Sequence, residues 1–201
     1  MHVARLSPDG STLYAGSSAG GVWRGAEDGT GWEPIGDNLY GGAHWLEILQ
    51  ASGGDRVLAA TDDGSIHYSD DDGATWTAPT GLDGVLSVRR LLMLSDGGEA
   101  LFIVAGGSEG QQVYRSTDGG ESFEVVLDLG EFKGDAWSPR TGAGDLYVMS
   151  GDGLEHSEDG GETWTLLGQP AAGSRAELTG SEAGALYAVI DGVLYRSEDG
   201  I

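Results

Sequence analysis

The side chains of this chain that could do chemistry are carboxylates and arginines. Thirty-three Asp and Glu stand against ten Lys and Arg, a formal net charge of −23, so carboxyl pairs arise by chance and only those in unexpected places inform. Glu47 and Glu177 are two such, each inside an apolar, β-patterned run. A carboxyl group made a better acid by burial, facing a second that acts as base or nucleophile, is the equipment of glycoside hydrolysis. Arg89, Arg90 and Arg175 fall on or beside similar runs. Brought together they would hold a substrate carboxylate, because a planar guanidinium makes paired hydrogen bonds to it. Arg5 is a fourth candidate. The plainer reading of both sets, solvated carboxylates lining a channel and ordinary strand or rim arginines, is favoured.

Other chemistry is scarce. The chain has no nucleophile elbow, no Gly-rich phosphate loop with a Lys and no His-Glu-x-x-His, the arrangements that would announce acyl transfer, nucleotide binding or a zinc protease. His2, His44, His67 and His156 are scattered, and with no cysteine there is no disulfide, thiol nucleophile or thiolate metal site. No residue is therefore assigned as catalytic or metal-binding, and no cofactor is expected. A net charge of −23 repels phosphate backbones, so nucleic acid is not an expected partner. No apolar run approaches the roughly 18 residues of a membrane span, and no signal peptide is legible; an export signal could lie outside the sequence, and the parent protein is expected at the cell surface or outside the cell.

The elements that must position these groups are set by a repeat. Ser69-Asp70-Asp71-Asp72-Gly73-Ala74-Thr75-Trp76 returns as Ser116-Thr117-Asp118-Gly119-Gly120-Glu121-Ser122-Phe123 and as Ser157-Glu158-Asp159-Gly160-Gly161-Glu162-Thr163-Trp164. A degenerate copy, Gly25 to Trp32, precedes them at a spacing of 41 to 47 residues, and a fifth opens at Ser197-Glu198-Asp199-Gly200. A period near 40 to 45 residues marks a β-propeller, one four-stranded blade per repeat, because a lone blade cannot bury both faces. Short β-rich runs bounded by Gly and Asp clusters recur four to a repeat, with Asp63-Gly64, Asp152-Gly153 and Asp191-Gly192 as hairpin turns. The expected fold is all-β: a partial β-propeller of four-stranded antiparallel blades, four blades plus three strands of a fifth. Residues 1–201 form one segment, with blades near 1–35, 36–78, 79–127, 128–167 and 168–201.

Within each octapeptide the Ser and Asp can bond turn backbone, the Gly can take a conformation closed to other residues and the aromatic can bury a large apolar surface. Ser69, Asp71, Gly73, Thr75 and Trp76, then Ser116, Asp118, Gly120, Ser122 and Phe123, then Ser157, Asp159, Gly161, Thr163 and Trp164 closely resemble the Asp-box, or bacterial neuraminidase repeat, Ser-x-Asp-x-Gly-x-Thr-Trp. The resemblance implies a propeller of the sialidase and sortilin-like superfamily, with each box on the turn between third and fourth strands, away from the face where active sites form. The aromatics Trp32, Trp76, Phe123 and Trp164 are then expected in equivalent buried positions. Asp70-Asp71-Asp72 could offer oxygens to calcium, but it lacks the spaced ligands and distal Glu of a calcium loop.

Loops on a rigid scaffold are where recognition is expected. That face would carry Tyr40, His44 and Trp45, then Phe132, Lys133, Asp135 and Trp137, of which Tyr40, His44, Trp45, Asp135 and Trp137 are the ligand-binding candidates, although for Trp45 and Trp137 inter-blade packing is the favoured reading. The function expected is a non-catalytic recognition or scaffold module of a secreted or surface protein, binding a protein or glycan. The alternative is a fragment of a sialidase-type exo-glycosidase, which requires three converging arginines or a buried carboxyl pair. A fifth blade without its outermost strand would leave an open C-terminal edge through which the chain could self-associate.

Overall fold

The structure, a computed structural model, describes residues 3–17, 20–36, 39, 42–51, 54–61, 63–94, 100–108, 110–139, 144–181 and 185–197. Tyr40, His2 and residues 198–201 lie outside the described set. Among the described residues every regular element is a β-strand, and the strands form five antiparallel sheets in chain order. The first sheet is β1 (Val3–Leu6), β2 (Thr12–Ser17), β3 (Gly21–Ala26) and β4 (Glu33–Pro34). The second is β5 (Ala43–Ala51), β6 (Gly54–Thr61) and β7 (Ile66–Ser69), and the third is β8 (Val85–Met93), β9 (Leu101–Gly107), β10 (Gly110–Ser116) and β11 (Glu124–Gly130). The fourth is β12 (Asp135–Trp137), β13 (Leu146–Met149), β14 (Leu154–Ser157) and β15 (Thr165–Gly168), and the fifth is β16 (Ala176–Gly180), β17 (Leu186–Ile190) and β18 (Val193–Ser197).

Sequence explains the layering. The second strand of a blade is covered on both faces by neighbouring sheets, so it reads as a continuous apolar run and not an alternation. In β9, Leu101 to Ala105 are all buried. Four apolar clusters stack the sheets, each uniting one sheet with the next: around Tyr14 and Val57, around Leu58 and Ile103, around Phe102 and Val148, and around Met149 and Leu186. Among the described residues none unites the fifth sheet with the first. The first strands of successive sheets lie side by side, β1 against β5, β5 against β8, β8 against β12 and β12 against β16. This is a partial propeller.

Two expectations about strands are corrected. The second sheet has three strands among the described residues; in place of the expected fourth there is a single bridge between Tyr68 and Thr77. Pro79 follows and has no N–H to continue the ladder, and Thr80 turns to the next sheet, donating to the Glu121 carbonyl at 3.0 Å and accepting from Phe123 N–H at 3.0 Å. Of the three Asp-Gly links, only Asp191-Gly192 has positive φ at both residues, 46° and 86°, as a type I′ turn demands.

The octapeptide turn is built alike three times. Ser69, Ser116 and Ser157 are buried, and each hydroxyl donates to the Asp two residues on at 2.8 Å. Each also accepts the N–H of Gly73, Gly120 or Gly161, at 2.8, 2.8 and 2.7 Å. The aromatics are not equivalent, contrary to expectation. Phe123 is buried, Trp76 and Trp164 are half-buried, and Trp32 is exposed at 36%. Each later aromatic packs at the junction with the preceding sheet, as Trp76 shows by donating its indole N–H to the Ile35 carbonyl at 2.9 Å. Trp32 belongs to the first sheet of the arc and lies over its own Gly25, its N–H on the Gly29 carbonyl at 2.8 Å.

Candidate functional site

Four inner strands converge on one cleft of about 230 Å³, lined by Trp45, Arg89, Arg90, Asp135, Arg175 and Glu177. Trp45 comes from β5, Arg89 and Arg90 from β8, Asp135 from β12 and Glu177 from β16, with Arg175 just before it. Consecutive residues of a regular strand point to opposite faces. Arg89 and Arg90 line one cleft because the β8–β9 register shifts between Val88 and Arg90, and such a bulge re-aims a side chain.

Asp135 organises the floor. Only 3% exposed, it accepts from Arg90 Nε at 2.8 Å, Arg90 Nη2 at 2.5 Å and the Leu178 N–H at 2.9 Å. The Arg90 guanidinium lies 5.5 Å from the Trp45 ring centroid, within cation–π range. The Asp135 hydrogen bonds raise the Arg90 pKa against the opposing effect of burial. Arg89 is different. Its Nη2 donates to the Ala176 carbonyl at 2.7 Å, while its buried Nε has no hydrogen-bond partner, and burial lowers its pKa. At the rim Arg175 Nη2 meets Glu177 Oε1 at 2.8 Å, both side chains more than half exposed. With three arginines and two carboxylates the lining carries one surplus positive charge within a chain of net charge −23.

Trp45 is the ridge between this cleft and a second depression lined by Val3, Ala4, Arg5, His44 and Trp45. There Arg5 Nη2 pairs with Glu47 Oε1 at 3.1 Å, and His44 is exposed. Arg89, Arg90 and Arg175 therefore do converge, while Arg5 lies apart from them, but Asp135, a backbone carbonyl and Glu177 each engage one of the three. Trp137 packs between the fourth and fifth sheets, over Gly180 and 5.9 Å from the Tyr147 ring, the inter-blade packing that the sequence favours for it over a place on the loop face. Phe132 packs against the same cluster, and Lys133 forms a backbone bridge with Arg175. His156 stacks on Tyr147 at 4.3 Å and meets Asp145 at 2.9 Å. His67 is half-buried, and burial lowers its pKa. In the acidic string, Asp71 closes its turn, Asp70 pairs with Arg56 at 2.6 Å and Asp72 with Arg24 at 2.9 Å.

The fold and this lining define a β-propeller segment with a polar, arginine-bearing channel side. No family model matches the chain. It is similar to a xyloglucanase of Paenibacillus sp, 28% identical over 225 residues that cover all of this chain and 21% of the relative. Its structure is similar to that of a GH74 enzyme of Niastella koreensis, TM-score 0.67 and 22% identity over 97% of this chain and 29% of that one. An ancestral GH74 enzyme gives a TM-score of 0.70 and 16% identity over 94% of this chain and 27% of that one. The chain thus spans about a fifth of the length of the curated relative, and the likeness to the solved structures establishes the fold. Where the sequence suggests sialidase type as the enzymatic alternative, these relatives bear the names xyloglucanase and GH74 enzyme.

Proposed function

We propose that this chain is a glycan-recognition segment of an extracellular Asp-box propeller, contacting a neutral polysaccharide of xyloglucan type along its channel side. The observation that carries the reading is the similarity to a xyloglucanase along the whole of this chain. The geometry supports it: Trp45, half-buried, forms a ridge flanked on both sides by polar depressions. Sugar rings present apolar C–H faces to an aromatic and hydroxyls to the groups around it, and such convergence of one ring with a few polar groups is how small-molecule sites gain orientation. The cleft arginines would donate to sugar hydroxyls, while Asp135 holds Arg90 in position.

The segment supplies binding and not the full acid–base pair. Asp135 is engaged by Arg90 and Leu178 N–H, Glu177 by Arg175 and Glu47 by Arg5, so each candidate carboxylate has a positioning role here. Affinity electrophoresis through gels containing xyloglucan tests the reading. The native chain should be retarded, and Trp45→Ala should lose most of the retardation while keeping its β-sheet circular dichroism. Unretarded native protein would refute the proposal.

A further inference from the structure

On the channel side the fifth sheet is fastened to the fourth by a ladder that begins in backbone and continues in side chains. Lys133 and Arg175 form a parallel bridge: the Lys133 N–H donates to the Ser174 carbonyl at 3.0 Å, and the Lys133 carbonyl accepts from the Ala176 N–H at 2.9 Å. One step further along a parallel ladder, Asp135 would offer its N–H to the Ala176 carbonyl and its carbonyl to the Leu178 N–H. Side chains take both places. Arg89 Nη2 donates to the Ala176 carbonyl at 2.7 Å, and Asp135 Oδ2 accepts from the Leu178 N–H at 2.9 Å. Arg90 braces this arrangement, donating to both Asp135 oxygens and reaching the Leu178 carbonyl at 3.4 Å. Ala176 and Leu178 bury their side chains in the apolar cluster between the fourth and fifth sheets, so β16 is held from behind by packing and from the channel by its main chain. The groups that grip it, Arg89, Arg90 and Asp135, also line the cleft, with Arg175 and Glu177 on either side of Ala176.

We propose that Arg89, Arg90 and Asp135 are a clamp on β16 that couples occupancy of the cleft to docking of the fifth sheet. The cleft has its full lining only while β16 is held, because Arg175 and Glu177 arrive with that strand. A ligand that touches Trp45 and Glu177 together therefore binds the clamped arrangement, and by linkage it favours that arrangement by as much as it prefers it. Arg89 acts here as a positioning residue, since its hold is on the strand that completes the cleft. The coupling rests on the glycan reading above, whereas the clamp stands on the hydrogen bonds alone.

Amide hydrogen exchange followed by NMR on the full chain tests both. In an antiparallel pair alternate residues turn their main-chain groups towards the partner strand. The native Leu178 N–H, turned away from β17 and onto Asp135, should exchange within about tenfold of the Glu177 N–H, which is turned towards β17. A Leu178 N–H that exchanges like an exposed amide would overturn the clamp. Arg89→Met should speed exchange at Leu178 by about tenfold or more while leaving Ile103 and Val113 of the third sheet, both fully buried, unchanged. Arg89→Lys, which keeps a donor, should recover part of the loss. Unchanged exchange at Leu178 in Arg89→Met would also overturn the clamp, and if that variant does not fold the native comparison decides. A xyloglucan oligosaccharide at about ten times its half-saturating concentration should then slow Leu178 exchange about tenfold in the native chain, and much less in Arg89→Met. Saturable binding without this slowing would overturn the coupling. No binding at all would overturn the glycan reading and the coupling with it, while the Leu178 comparison would still decide the clamp.

Discussion

At the scale of single residues, the octapeptide carboxylates do their work through hydrogen bonds to their own turn. Burial pushes the Asp118 carboxyl up, but donation from the Ser122 hydroxyl and N–H, the Ser116 hydroxyl and the Glu121 N–H overrules it and holds the group at about 2. Asp71 and Asp159 are lowered chiefly by the hydroxyls of Thr75 and Thr163. A carboxylate depressed in the folded state binds its proton more readily when unfolded, so its stabilisation is present above the unfolded value near pH 4 and is lost as pH falls towards 2. Thermal melts from pH 7 to pH 2 should show Asp118→Asn less stable than the native chain at pH 7 and less pH-sensitive between pH 4 and pH 2. Parallel profiles would mean that Asp118 does not anchor its turn. The roles of these Ser, Asp and Thr residues were legible in sequence because every partner lies within four positions. The pairing of Arg90 with Asp135, 45 residues apart, was not, since it depends on which strands become neighbours.

At the scale of the element, a turn that is sound by itself must also fit the sheet before it. Gly73 has φ +84°, and an added Cβ would stand 2.5 Å from the Ile35 carbonyl oxygen, whereas Gly29, with φ +78°, has nothing within 4 Å. Alanine at either site meets the left-handed penalty of about 1 kcal/mol, but at Gly73 it also collides with backbone of another sheet, a strain of about 1–3 kcal/mol. Chemical denaturation should find Gly73→Ala clearly less stable than Gly29→Ala; equal losses would show that the junction yields. Glycine at both positions is readable from the repeat, but the collision belongs to the inter-sheet contact alone. The bulge that turns Arg89 and Arg90 into one cleft has the same standing. No residue in Ser87-Val88-Arg89-Arg90 marks it, because a bulge arises from the fit of β8 to β9.

For the whole molecule, stability in a stacked array is a sum of sheets and junctions, and an end sheet has one junction where an inner one has two. Hydrogen exchange should therefore be slowest in β9 and β10, where Ile103, Val104 and Val113 are fully buried, and at least a hundredfold faster at Leu194 in β18. Uniform protection would contradict an open arc, because it would require the fifth sheet to be covered as the third is. The number and order of sheets followed from sequence alone: the repeat is local, each copy closes its own hairpin, and a four-stranded unit with two apolar faces must stack on its neighbours. The tertiary structure decided what the stack brings together. Which arginines share a cleft, which partner engages each of them and which aromatic is buried all depend on contacts between repeats. Those contacts are set by sheet register and by the position of each sheet within the arc, and neither is encoded in any one repeat.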